Sequence, residues 1–163
     1  MEIRLAQSAD LEAINEIYNQ AVEERFCTAH LAPVTMEHRE AWFRQHDSKK
    51  FPVFVVSEKG MIRGWVSLSA YRADRQALEH VAEVSYYVHR DHRGEGAGRL
   101  LMSHAISAAP ECGFSVLVAI LLSRNPASIG LLDKFGFTRW GTMPGIAQIG
   151  DELADHLYYG LKI

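Results

Sequence analysis

The sequence predicts an α+β fold built as one domain over residues 1–163. Three observations predict it. Leu11, Ile14, Ile17, Tyr18 and Ala21 recur at helical spacing near the N-terminus. Phe51–Ser57 and Met61–Ser69 are rich in β-branched and aromatic residues, and Glu58-Lys59-Gly60 between them suits a hairpin turn. The centre of the chain then reads strand, glycine-rich turn, helix, strand, helix.

A chain of 163 residues can bury a single core without disulfides or metals. With 48% hydrophobic and 23% charged residues it has the make-up of an ordinary globular protein. A net charge of −3 lacks the basic excess that a sequence-independent nucleic-acid binder needs. Cys27 and Cys112 form no CxxC pattern and read as two reduced thiols. No long apolar run follows Met1-Glu2-Ile3-Arg4-Leu5, so neither a signal peptide nor a membrane span is expected, and the expected location is the cytoplasm.

The elements follow in order. Met1 to Ala6 alternates as a first strand. Ser8 is the expected cap of the first helix, with Asp10 and Glu12 in its first turn. Thr35 caps a second helix that carries Trp42 and Phe43. After the hairpin, the polar and basic stretch from Tyr71 to His80 reads as a loop, and Val81 to His89 as a strand. Leu100, Leu101, His104, Ala105 and Ala108 mark a helix that Pro110 and Gly113 end. The unbroken apolar run from Ser115 to Leu122 is expected of a strand buried on both faces. Asn125-Pro126 reads as a cap and first-turn proline for a helix that Gly136 stops. Strands near Thr138 and from His156 to Lys162 close the chain.

The most informative stretch is the turn Arg93-Gly94-Glu95-Gly96-Ala97-Gly98-Arg99. Its glycines let backbone N–H groups approach a ligand, and it opens a helix whose dipole favours an anion. Arg93 and Arg99 add positive charge. The physics points to phosphate or pyrophosphate. A P-loop is excluded because Gly98 precedes Arg99-Leu100 rather than Lys-Ser/Thr. A dinucleotide fingerprint is excluded because its third glycine position is Arg99.

The remaining pattern, R-x-x-G-x-G, resembles the pyrophosphate-binding motif of the GNAT N-acetyltransferase superfamily. About 30 residues on, Asn125-Pro126-Ala127-Ser128 and the helix leading to Phe135-Gly136-Phe137 resemble that superfamily's second cofactor segment. The resemblance implies a three-layer α/β/α fold with a mixed, mostly antiparallel central sheet flanked by helices. It implies that acetyl-CoA lies along Tyr86, Tyr87 and Val88, on the turn from Arg93 through Gly94, Glu95, Gly96, Ala97 and Gly98 to Arg99, and on Asn125 and Ser128.

Transfer of an acetyl group to an amine needs a base for the ammonium proton, donors for the oxyanion and departure of a thiolate. Glu83 is the candidate base. It shares a strand face with Ser85 and Tyr87, opposite Ala82 and Val84, in a strand that leads to the glycine turn. The plainer reading is an exposed glutamate paired with a basic residue. Glu83-Val84-Ser85-Tyr86-Tyr87-Val88 resembles a stretch of the phosphinothricin acetyltransferase-like branch, in which this Glu is the general base. Pro33-Val34-Thr35, Trp42-Phe43 and Met143-Pro144-Gly145 also resemble that branch, whose members acetylate small amino-acid-like amines such as phosphinothricin or methionine sulfone and sulfoximine, and are often homodimers.

Arg72 and Arg75 are candidates for the substrate's carboxylate, because a guanidinium binds one through two parallel hydrogen bonds; a solvated basic loop is the alternative. Leu132 stands where many relatives place a Tyr, or this branch a His, to protonate the thiolate, so Tyr86, Tyr87 and Tyr159 become candidates. The backbone N–H near Val88 is the expected polariser of the thioester carbonyl. His89 and His92, in a basic loop with no second ligand cluster, do not suggest a metal site. Two alternatives stand beside a small-amine acetyltransferase. One is acetylation of protein N-termini or lysines. The other is a coenzyme-A-binding sensor without turnover, for which the loss of an acid at Leu132 is the support.

Overall fold

The computed structural model describes residues 1–163. Seven strands form one sheet: β1 (Glu2–Leu5), β2 (Val53–Glu58), β3 (Met61–Ala70), β4 (Val81–Val88), β5 (Val116–Leu122), β6 (Thr138–Ile149) and β7 (Glu152–Lys162). Their order across the sheet is β1-β2-β3-β4-β5-β7-β6. Every neighbouring pair is antiparallel except β4 with β5. Four helices flank it: α1 (Leu11–Glu24), α2 (Met36–Arg44), α3 (Ala97–Ala108) and α4 (Pro126–Lys134).

The strands' period-2 pattern divides the core. Phe54, Val56, Val66 and Leu68 pack with Leu101, Met102 and Ala105 of α3 and Leu132 of α4. The alternate residues Val53, Val55 and Trp65 pack with Leu11, Ile14, Ile17 and Tyr18 of α1. Burying both faces in this way gives the expected α/β/α layering.

Two expectations need correction. Ser8 does not cap α1. Arg4 pairs with Asp10 at 2.6 and 2.8 Å, and Asp10 accepts from the Gln7 N–H at 2.8 Å. These contacts wind Ser8–Asp10 into a 3₁₀ turn, so the α-helix begins at Leu11. The last two strands are also longer than expected. Gly150 adopts φ +64° in the turn that joins them, and β7 therefore starts at Glu152 rather than His156. The β6–β7 register shifts between Met143 and Ala147, a bulge that accommodates Pro144, which has no N–H to give the ladder.

The other local signals match. Thr35 Oγ1 accepts from the His38 N–H at 3.2 Å, and Asn125 Oδ1 accepts from the Ser128 N–H at 3.0 Å.

One feature of the sheet positions the site. The parallel β4–β5 pairing covers only Val81, Ala82 and Glu83 against Val116, Leu117 and Val118. Beyond Glu83 the two strands part. The β5-facing backbone edge of Val84–Val88 has no strand beside it, so its polar groups need another partner.

Candidate active site

Two cavities open where β4 and β5 part. The first, of about 940 Å³, is walled by β4, the glycine turn and α4. The second, of about 720 Å³, lies on the α1–α2 side of the sheet. Cys27, Ser85, Tyr87, Ile120 and Leu121 line both, so the cavities adjoin across the strand splay.

The first cavity collects the residues expected to hold the cofactor. Arg93, Gly94, Gly96, Ala97, Gly98 and Arg99 line it, as do Asn125, Ser128, Tyr86, Tyr87 and Val88. Gly96 adopts φ +94° immediately before α3, a conformation that presents the first N–H groups of a twelve-residue helix. A Cβ at Gly98 would stand 3.4 Å from Leu131 and 3.5 Å from Val88, so the turn packs close to α4 and β4. Arg99 lines the cavity and makes no ion pair, and Lys134 at the end of α4 adds a cation that the sequence reading missed.

Other expected members are used differently. Glu95 lines neither cavity and lies beside His92 at 3.4 Å. Arg93 is engaged by both Glu24 carboxylate oxygens, at 2.9 and 2.6 Å, and so ties the end of α1 to the turn. His89 bonds Gln20 at 2.9 Å and His92 contacts Arg63, so both are structural.

Asn125 caps α4 through its oxygen, and its amide nitrogen makes no hydrogen bond within the chain. The Tyr86 hydroxyl meets Ser128 Oγ, and burial pushes its pKa up to about 12. Burial likewise pushes the Tyr87 phenol well above its ordinary value. Both phenols stay protonated at neutral pH. Tyr159 lies in the core outside both cavities, and Leu132 is fully buried there with its side chain at the cleft wall.

A cleft with helix N-terminal donors, a free guanidinium and an unpaired strand edge fits a pyrophosphate joined to an amide-bearing arm. These are the chemical features of coenzyme A.

The second cavity contains Glu83, on the face it shares with Ser85 and Tyr87. Ala82 and Val84 are buried on the opposite face, as the alternation predicts. Glu83 is the single carboxylate in this lining, and burial raises its pKa from the ordinary value. Arg72 and Arg75 do not line the cavity. Both are exposed, with Arg72 near the Tyr71 ring and Arg75 Nη1 donating to the Asp74 carbonyl.

The wall opposite is made by Tyr18 and Trp42, which the sequence reading placed on helices without a site role, and by His30, Arg39 and His46, which it passed over. Arg39, Trp42, Phe43 and His46 fall at helical spacing, a pattern that by itself marks one face of a helix and no site.

The family model described as "Acetyltransferase (GNAT) family" matches residues 11–137. An L-amino acid N-acyltransferase of Escherichia coli is 39% identical, over 90% of this chain and 84% of that protein. The L-methionine sulfoximine/L-methionine sulfone acetyltransferase of Salmonella typhimurium is 38% identical, over 90% of this chain and 85% of its own length. Among solved structures, a ribosomal-protein-alanine N-acetyltransferase from Brucella melitensis matches with TM-score 0.94 and 33% identity, covering 100% of both chains. A phosphinothricin acetyltransferase from Sinorhizobium meliloti, in complex with acetyl-CoA, matches with TM-score 0.93 and 27% identity over 99% of this chain and 88% of that one.

Proposed function

The chain belongs to the GNAT acetyltransferase family, and from that premise we propose that it moves the acetyl group of acetyl-CoA to the primary amine of a small amino-acid-like substrate, of the phosphinothricin or methionine sulfone and sulfoximine type. One observation carries the reading. Glu83 is the last residue of β4 paired with β5, so its carboxylate stands where the acceptor cavity adjoins the cofactor cleft.

The steps follow from these positions. The glycine turn, Arg99 and Asn125 hold acetyl-CoA, which supplies the thioester. The amine enters from the second cavity as an ammonium. Glu83 removes its proton, and its raised pKa brings it closer to neutral pH, where a base works best. The free amine attacks the thioester carbonyl in a ternary complex, and the Val88 N–H at the splayed edge polarises that carbonyl. The tetrahedral adduct then expels the thiolate, which takes up, directly or through water, the proton that the attacking nitrogen sheds as the amide forms. A thiol with a pKa near about 8.5 leaves without an obligatory acid, which is consistent with an apolar Leu132.

Thiol release from acetyl-CoA, followed against a panel of amino-acid analogues, tests the reading. Amine-dependent release is expected; its absence across the panel would favour a sensor. Glu83→Gln is expected to lower turnover by about 10²–10⁴-fold. Because the Glu83 pKa is raised, kcat/KM of the native enzyme is expected to fall as pH drops through a value above that of an ordinary glutamate, and the variant to lose that limb. Undiminished turnover in Glu83→Gln would remove the base assignment.

The likeness to the Brucella protein favours a second reading, acetylation of a protein's N-terminal residue. A short peptide beginning with alanine, included in the same assay, separates the two.

The working unit is proposed to be a cytoplasmic homodimer. Trp140, Met143, Ile146 and Leu153 on the β6–β7 hairpin are 45–64% exposed, an apolar surface that a second copy of the chain would cover.

A further inference from the structure

We propose that Arg39 anchors the acceptor's carboxylate, so that the second cavity binds an α-amino acid as a zwitterion with its anionic end on Arg39 and its ammonium toward Glu83. This rests on the acetyl-transfer reading above and names the group that selects its substrate.

The charge inventory of the cavity supports it. Arg39 is the single Lys or Arg in the lining and Glu83 the single acid. The two are not paired with each other, and none of the chain's ion pairs includes either one. Arg39 is only 4% exposed, which is unusual for an arginine without a carboxylate partner. A cation buried this deeply calls for an anion.

The geometry around Arg39 presents its fork to the cavity. Nε donates to Asn15 Oδ1 at 3.2 Å. Asn15 is itself held by donating to the Val34 carbonyl at 2.9 Å. The guanidinium lies 4.6 Å from the Tyr18 ring centre, 4.7 Å from Trp42 and 5.6 Å from Trp65. Aromatic faces and one amide therefore orient the group, while Nη1 and Nη2 have no hydrogen-bond partner within the chain. Two parallel N–H donors are what a carboxylate accepts.

Burial lowers the Arg39 pKa, but a guanidinium remains cationic at neutral pH. The other titratable groups in the lining are His30, His38, His46, His156, Tyr18, Tyr87 and Cys27. Desolvation lowers the pKa of His46 and raises those of Tyr87 and Cys27. These three shifts favour neutral forms, which cannot substitute for an anion.

The register gives the span. Trp65 pairs with Tyr87 and Ser69 with Glu83, so the two charges are set four residues apart along one sheet face, about 13 Å between the Cα positions beneath them. Glu83 and Arg39, whose guanidinium lies over Trp65, both line this one cavity.

The test compares methionine sulfone with its carboxamide, which keeps the amine and loses the anion. Wild-type enzyme is expected to prefer the acid by about 10–100-fold in kcat/KM, since the charge-assisted hydrogen bonds to the guanidinium are lost with the anion. Arg39→Lys should keep part of that ratio, and Arg39→Met should bring it close to one. Protection by acetyl-CoA against thermal unfolding reports the fold of each variant, because Arg39 does not line the cofactor cleft. Should Arg39→Met fail to fold, the wild-type ratio and Arg39→Lys decide.

Equal use of acid and carboxamide by wild type overturns the Arg39 assignment and leaves the acetyltransferase reading standing. An acid preference that persists in folded Arg39→Met also overturns it. Failure to acetylate either compound, with the alanine peptide accepted, overturns both this inference and the small-substrate reading.

Discussion

Gly64 of β3 pairs with Val88, the last residue of β4 before the glycine turn. A Cβ there would stand 2.7 Å from the Tyr87 carbonyl oxygen and 3.3 Å from the Val88 Cα. Backbone atoms cannot swing aside as a side chain can. Gly64→Ala is therefore expected to cost about 1–3 kcal/mol, measured by urea unfolding, and to raise the KM for acetyl-CoA because it displaces Val88. Asp10 gives a pH-dependent case. The Arg4 hydrogen bond holds its pKa below the ordinary value. The linked stability is thus present above the unfolded pKa of about 3.9 and is lost as pH falls through the lower folded value. Asp10→Asn should be less stable than wild type at pH 7, with the gap narrowing on acidification. Arg4 is 44% exposed, so added salt should narrow it too.

At the scale of elements, the glycine turn depends on a helix far from it in sequence. Gln20 of α1 accepts from the Arg90 N–H at 2.9 Å and bonds His89. Glu23 pairs with Arg90, and Glu24 with Arg93. The end of α1 thus holds the entry to α3 at three points. Gln20→Ala is expected to raise the KM for acetyl-CoA several-fold while moving the amine's KM little, read by steady-state kinetics with each substrate varied in turn. The glycine turn itself was legible in the sequence, because its φ demands and its helix N-terminus are local. The role of Arg93 was not, because its partner lies 69 residues away. Arg39 was hidden for a similar reason. Its spacing with Trp42 and Phe43 marks a packed helix face, and only the neighbouring helix and sheet show that this face closes a cavity.

Across the whole molecule, the sheet both builds the site and leaves an apolar surface free. Ile146 and Leu153, 58% and 64% exposed, lie on opposite arms of the β6–β7 hairpin beside the bulge in the edge strand β6. Sedimentation equilibrium is expected to give twice the chain mass, and Ile146→Glu with Leu153→Glu to shift it toward the monomer. A native protein that sediments as a monomer would remove the dimer proposal.

By itself the sequence determined the chain order of helices and strands, the glycine turn that opens α3, the cap of α4 and the face of β4 that carries Glu83. Each follows from residues within a few positions of one another, through side-chain period, glycine torsions and capping hydrogen bonds. Tertiary structure alone decided where β4 and β5 part, how the two cavities adjoin there, and that Arg39 rather than Arg72 or Arg75 shares a cavity with Glu83. Those outcomes depend on strand register and on helix-to-sheet packing between distant segments, and no local pattern encodes such contacts.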